Sequence, residues 1–236
     1  MYKKCRLWGA ILLTVFCLAG CGGDLPGGQG GNGDGDGDIM SKATEQRFAA
    51  MEIREYNGMM LDPSIGPRDN SINGIQTVDI TGYALKVTGL VKTSLSLAYN
   101  EVKSLNAYEK LITLHCVEGW NATVLWKGVL IEDLLNEAGI SSETANTVIF
   151  RCADGYTTSL PLSWVRDRQI ILAYSSNSII LPAALGYPFI VVAEDKLGYK
   201  WARWVTEIEV SDDLDYNGFW ESVGYDNEAD VPGSGK

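Results

Sequence analysis

Thr113-Leu114-His115-Cys116-Val117-Glu118-Gly119-Trp120 is the stretch on which the fold turns. The run Leu111–Val117 is apolar and rich in β-formers, and Thr123–Val129 repeats that character after a glycine-containing turn. Each run reads as a strand. A cysteine at the end of the first strand presents its sulfur at the strand tip, where backbone donors and a ligand can reach it. Thiolate is a soft, strongly donating ligand suited to a redox metal. On the residues alone, a lone cysteine on an apolar strand also fits buried packing, or a disulfide with Cys152.

Outward from this stretch, strands are expected at Thr77–Ile80, Tyr83–Gly89, Thr147–Cys152, Gln169–Tyr174, Ile179–Leu181, Phe189–Ala193 and Trp204–Val210. Helical stretches are few. Tyr99–Leu105 and Ile131–Ala138 are the clearest, the second amphipathic through Ile131, Leu134, Leu135 and Ala138 and closed by Gly139; Pro161 opens a third. The expectation is one α+β domain with mixed β-sheets and short helices.

The 236 residues divide unevenly. Met1–Arg6 is basic and Leu7–Ala19 apolar, too short for a comfortable bilayer span of about 20 residues, so residues 1–20 read as a secretory signal. It ends Leu18-Ala19-Gly20-Cys21, which resembles the lipobox of bacterial lipoproteins; Cys21 is then the lipidated residue. Residues 21–45, with the Gly-Asp repeat of Gly33 to Asp38, read as a flexible tether. Residues 46–236 form the domain. The protein is therefore expected outside the cytoplasm, in the cell envelope, held to a bacterial membrane by lipid alone. Losing Lys3, Lys4 and Arg6 with the signal takes the net charge from −11 to −14. So acidic a chain repels nucleic-acid phosphates, which argues against nucleic acid as a partner.

His115 is the only histidine, so a multi-histidine zinc site cannot form and a Ser-His-Asp triad would have to be built around it. There is neither a P-loop nor a GxGxxG after a strand.

Cys116 with Val117-Glu118-Gly119-Trp120 resembles the metal-binding cysteine segment of the sulfite oxidase family. The likeness is to its bacterial molybdopterin-dependent branch, which includes catalytic subunits of periplasmic protein-methionine-sulfoxide reductases. The similarity runs in order from about Ile53 to Asp230. It takes in Arg54-Glu55-Tyr56-Asn57-Gly58, Arg68-Asp69-Asn70-Ser71-Ile72, Tyr83 to Val91, Tyr156 to Leu162, Leu172-Ala173-Tyr174, Leu181-Pro182, Gly186-Tyr187-Pro188 and Gly198 to Val205. The resemblance implies a molybdenum–molybdopterin cofactor, one molybdenum per chain, with Cys116 as the metal's protein ligand. It implies that Asn70 lies near the pterin, with Asn73 and Gly74 on the same wall, and that Asp154 meets the pterin nitrogens. Asp154 equally suits the start of an Asp-Gly turn. Gly198, Tyr199 and Lys200 match the stretch that receives the pterin phosphate, where glycine admits backbone N–H groups and lysine supplies a point charge. Arg203 either assists there or alternates outward as a solvated charge. Tyr174 is expected near the substrate or in core packing, and Glu118 as a proton relay or an exposed turn residue.

Two positions depart from the family's pattern. Leu185 stands where a polar pterin contact is expected, and Ile190 where a phosphate-binding arginine is expected. Each lost charged hydrogen bond costs cofactor affinity roughly 1.5–3 kcal/mol. These departures favour a second reading, a non-catalytic surface lipoprotein with the same fold. The leader carries Lys3-Lys4-Cys5-Arg6 rather than an arginine pair, and the arginines that sulfite oxidases place after the cysteine are absent. A small neutral oxo-type substrate, a sulfoxide or N-oxide, follows better than sulfite, with electrons from a membrane-bound partner.

Overall fold

The computed structural model describes residues 42–66 and 69–234. The signal, Cys21 and the tether up to residue 41 lie outside the described residues, as do Pro67 and Arg68. A helix, α1 (Lys42–Met51), begins inside the stretch given to the tether. A small hairpin follows, β1 (Glu55–Tyr56) with β2 (Met59–Met60).

Two five-stranded sheets build the body. One contains β5 (Tyr108–His115), β6 (Asn121–Leu130), β9 (Ile171–Ser176), β10 (Ile179–Ile180) and β11 (Ile190–Val192). Its order is β10-β9-β6-β5, with β11 also on β9, and every pairing is antiparallel. The other contains β3 (Ala84–Gly89), β4 (Leu95–Ala98), β7 (Thr147–Cys152), β8 (Thr157–Pro161) and β12 (Val205–Ser211), in the order β4-β3-β12-β7-β8. Here β3 and β12 run parallel and the rest antiparallel, so the sheet is mixed. The α+β architecture expected from the sequence is borne out.

Three short helices occupy connections: α2 (Tyr99–Lys103), α3 (Ile131–Ala138) and α4 (Leu162–Asp167). In α3, Ile131, Leu134, Leu135 and Ala138 are buried and face the core, the stripe that its apolar spacing requires. Gly139 ends it at φ 69°. The core joins the sheets through Leu85, Val87, Val129, Phe150, Val165, Leu172, Phe189 and Ile208. Gly128 permits a close approach of β6 to β9, since a methyl group there would stand 2.2 Å from the Leu172 carbonyl oxygen.

Thr77–Ile80, expected as a strand, is irregular. The Asp79 carboxylate accepts hydrogen bonds from both the backbone N–H and the hydroxyl of Thr81, at 2.9 and 2.8 Å. That local bonding competes with a strand ladder.

Candidate active site

The Cys116 sulfur sits at the tip of the β5–β6 hairpin. His115 pairs with Asn121, and Val117-Glu118-Gly119 form the loop. Gly119 N–H donates to the Cys116 carbonyl at 3.0 Å, and Cys116 N–H donates to the Trp120 carbonyl at 2.9 Å. Gly119 adopts φ 88°, the left-handed conformation that a three-residue hairpin loop requires at its last position. The thiol is partly exposed and free.

Two other segments meet it. A parallel bridge between His115 and Leu197 lays the 3₁₀ turn Gly198–Lys200 beside the hairpin. A methyl group added to Gly198 would lie 3.7 Å from the Cys116 Cα and 3.5 Å from the His115 carbonyl oxygen. From the other side, the Asn70 amide nitrogen stands 3.9 Å from the Cys116 sulfur. The approach to that loop is packed on the hairpin: a methyl group at Gly66 would come within 2.6 Å of the Trp120 ring. Thus Asn70, Cys116 and Gly198, far apart in sequence, are brought together. Asn73 and Gly74 follow on the exposed part of the Asn70 loop, where Gln76 Nε2 donates to both their carbonyls at 2.8 Å.

The remaining expectations are revised by where the side chains go. Lys200 is fully buried. Its ammonium donates to Glu221 Oε1 at 2.5 Å and to Asn227 Oδ1 at 2.8 Å, so its charge is committed internally and is not the free phosphate anchor expected. Burial lowers its pKa, and the bond to Glu221 opposes that shift. Tyr199 donates its hydroxyl to the Asp226 carbonyl at 2.7 Å and packs edge-on against Tyr225. Burial, with Asp226 and Glu221 nearby, raises its pKa to about 12. Its carbonyl accepts the Tyr156 hydroxyl.

Asp154 takes the turn role: its Oδ1 accepts the Tyr156 N–H at 3.0 Å. Glu118 is exposed in the hairpin loop, with its Oε2 accepting the Trp120 indole N–H at 3.2 Å. Arg203 is not an outward, solvated charge. It pairs with Asp69 at 3.0 Å and donates to the Ala184 carbonyl at 3.0 Å.

Tyr174 is not beside the cysteine. It lies in β9 between Ala173, opposite Gly128, and Ser175, opposite Lys127. Gly128 and Lys127 in turn face Tyr108 and Glu109, at the start of β5. Cys116 lies beyond the other end of that strand, roughly 23 Å along it at about 3.3 Å per residue. Tyr174 is itself buried and packs instead beside the half-buried Lys103, whose ammonium lies 5.4 Å from its ring centre.

Cys152 is buried at the end of β7, and burial pushes its thiol pKa well up. Neither it nor Cys116 is bridged, which overturns the disulfide reading. Leu185 and Ile190 are buried apolar residues of the core and offer no donor. Sequence reasoning missed Asp69, Glu221 and Asn227, the partners that fix Arg203 and Lys200. Their only sequence signal is that a buried cation requires a counter-charge.

A partly exposed cysteine with an unbridged thiol beside the hairpin loop, an amide 3.9 Å from its sulfur and a glycine next to it offer a soft donor of the kind a redox metal takes. The donor set fits a metal–dithiolene group at this sulfur. At the phosphate end, Leu185 and Ile190 contribute nothing.

Such a site on mixed sheets is what an oxidoreductase domain holding a metal-bearing cofactor through one thiolate would present. The model of the oxidoreductase molybdopterin binding domain matches residues 72–220, and the chain belongs to that family. By that membership it is an oxidoreductase whose cofactor is Mo-molybdopterin, which bears out the resemblance read from the sequence. It is similar to the uncharacterized oxidoreductase YuiH of Bacillus subtilis, 34% identical over 153 residues, 64% of this chain and 76% of that protein. A putative protein-methionine-sulfoxide reductase subunit, YedZ1 of Azospira oryzae, is 32% identical over 151 residues, 64% of this chain and 57% of its own length. The sulfane dehydrogenase SoxCD from Paracoccus pantotrophus shares the fold, with a TM-score of 0.56 at 21% identity over 59% of this chain and 41% of that one.

Proposed function

We propose that this chain is an exported, lipid-anchored molybdenum–pterin oxidoreductase. Its substrate is a small neutral oxo compound such as a sulfoxide or N-oxide, and a membrane-bound partner exchanges its electrons. The observation that carries the catalytic reading is the Cys116 sulfur, free and accessible, with Asn70 3.9 Å away.

The bound cofactor supplies the two-electron, oxygen-transfer chemistry. The chain's part is to hold and orient it. Cys116 donates the thiolate, and the Asn70 N–H directed at the sulfur stabilises its negative charge. Gly198 leaves backbone exposed where a side chain would obstruct approach, and Asn73 and Gly74 extend the polar wall. Glu118, exposed two residues from the ligand, can carry a proton between solvent and the site's rim.

Glu118 and the net charge of −11 disfavour an anionic substrate such as sulfite and leave neutral oxo compounds favoured. The likeness to a putative protein-methionine-sulfoxide reductase subunit supports the sulfoxide class and, because that protein is a subunit, the existence of a partner. Export and anchoring rest on the signal and on Leu18-Ala19-Gly20-Cys21.

The full chain purified from a molybdenum-replete host should contain about one molybdenum, as one thiolate ligand per chain requires, and show a visible spectrum that Cys116→Ser abolishes. With a dye as electron donor it should turn over dimethyl sulfoxide or trimethylamine N-oxide. A molybdenum-free protein would instead favour the non-catalytic module, and an unchanged Cys116→Ser spectrum would reject the ligand. Fatty-acid labelling that survives Cys21→Ser would reject the anchor.

A further inference from the structure

Asn70 reaches the Cys116 sulfur at 3.9 Å, which is too long to hold a loop in place by itself. Something else must fix that loop, and it is visible on either side of Asn70. The Asp69 carboxylate accepts the Ser71 N–H at 3.1 Å through Oδ1 and the Ser71 hydroxyl at 2.6 Å through Oδ2. It thereby closes a turn around the residue between them, which is Asn70. The same Oδ1 pairs with Arg203 Nη2 at 3.0 Å, both side chains being four-fifths buried.

Arg203 is in turn rooted in the body. Its Nη1 donates to the Ala184 carbonyl at 3.0 Å, and its guanidinium lies 4.6 Å from the Trp204 ring centre. Its stem rests on Gly186 (φ 112°), where a methyl group would come within 2.9 Å of the Arg203 Cβ. A continuous line of contacts thus runs from the Ala183–Gly186 segment through Arg203 and Asp69 to Asn70.

We propose that the Asp69–Arg203 ion pair, footed on Gly186, is the strut that holds Asn70 against the Cys116 sulfur. Asp69 and Arg203 are then positioning residues for cofactor retention. The proposal rests on Cys116 being the metal ligand. It accounts for an arginine packed away from solvent, and it makes Gly186 a requirement of the site at a distance.

The test uses the full chain from a molybdenum-replete host, with deuterium uptake in segment 69–76 and molybdenum retained after dialysis as readouts. Asp69→Asn, nearly isosteric and able to fold, should speed exchange of that segment about tenfold, the scale of one charged hydrogen bond, and should drain molybdenum. Arg203→Gln should do the same, Arg203→Lys should recover much of the loss, and the double variant should be no worse than either single. In an Asn70→Ala background, Asp69→Asn should still loosen the segment yet cost no further molybdenum. A purely structural role would not produce that silence. Unchanged exchange in both single variants overturns the strut, and additive molybdenum loss with Asn70→Ala overturns its action through Asn70. If Cys116→Ser keeps its molybdenum, the ligand reading fails separately, because the exchange result still judges the strut.

Discussion

Lys200 Nζ and Glu221 Oε1 meet at 2.5 Å with both side chains almost wholly out of solvent. Glu221 Oε1 also accepts the Thr158 hydroxyl at 2.7 Å, whereas its Oε2 is buried without a hydrogen-bond partner among the described residues. Removing the lysine would strand that carboxylate in the interior. Lys200→Met should therefore lower unfolding stability by about 3–5 kcal/mol, and Lys200→Met/Glu221→Leu should recover most of it. Urea unfolding of both variants checks this. A single variant as stable as the parent would show that the pair contributes nothing.

Gly198 places bare backbone beside the metal-ligand candidate. Its backbone is not in a left-handed conformation, and a methyl group would make only ordinary contacts, at 3.5–3.7 Å. Gly198→Ala should fold within about 1 kcal/mol of the parent. Gly198→Leu should fold as well but lose most of its molybdenum, since its side chain fills the approach to Cys116. Metal analysis of folded protein separates the two, and full occupancy in Gly198→Leu would mean that the cofactor does not pass there.

How much of this was legible in the sequence depended on distance along the chain. The strands on either side of Cys116 were readable from their apolar, β-forming runs, although the first was carried on to Val117, past the end of β5 at His115. Helix α3 was readable from its apolar stripe. Lys200 was misread because the partner that claims its ammonium, Glu221, lies 21 residues on, and nothing local announces which carboxylate wins. Of the two roles open for Arg203, the outward one fails for the same reason, its partner Asp69 coming from a distant loop. Tyr174 was misplaced because strand composition shows that β9 exists but not that it pairs with β6 at the end remote from Cys116. Sheet order is a property of the packed core as a whole.

Tyr174→Phe should accordingly leave molybdenum content unchanged and turnover within about twofold, the scale expected for loss of a single weak polar contact. Asn70→Ala should lower both. Steady-state kinetics with a sulfoxide substrate would decide, and a large loss of turnover in Tyr174→Phe at full stability would return that residue to the site.

Ile190 sits in β11 opposite Ala173 and is almost entirely buried. Restoring the family's arginine there would put a charge into the core rather than toward a phosphate. Ile190→Arg should cost at least about 3 kcal/mol, as an uncompensated buried charge does, and should not improve molybdenum retention. A stable variant with tighter cofactor retention would mean that this strand can turn its side chain to the site.

Alkaline pH tests the packing behind the cofactor face. Burial raises the pKa of Tyr199 from 10.0 to about 12, helped by Asp226 and Glu221. Between those values the unfolded chain loses the phenolic proton while the folded chain keeps it, so the folded state binds more protons. Stability is then fully present below pH 10 and is lost as pH climbs toward 12. Tyr99 shifts in the same direction, to about 12, through burial and the nearby Tyr187 and Tyr174. Lys200 acts with opposite sign, because its lowered pKa makes the folded state shed a proton first, so its contribution to stability rises with pH below its ordinary value of 10.5. In a Lys200→Met/Glu221→Leu background the lysine's opposing slope is gone, and stability should fall monotonically from pH 10 upward. Adding Tyr199→Phe should flatten that fall, as read from urea midpoints across the window. A slope indifferent to Tyr199→Phe would place this hydroxyl in solvent rather than against the Asp226 carbonyl.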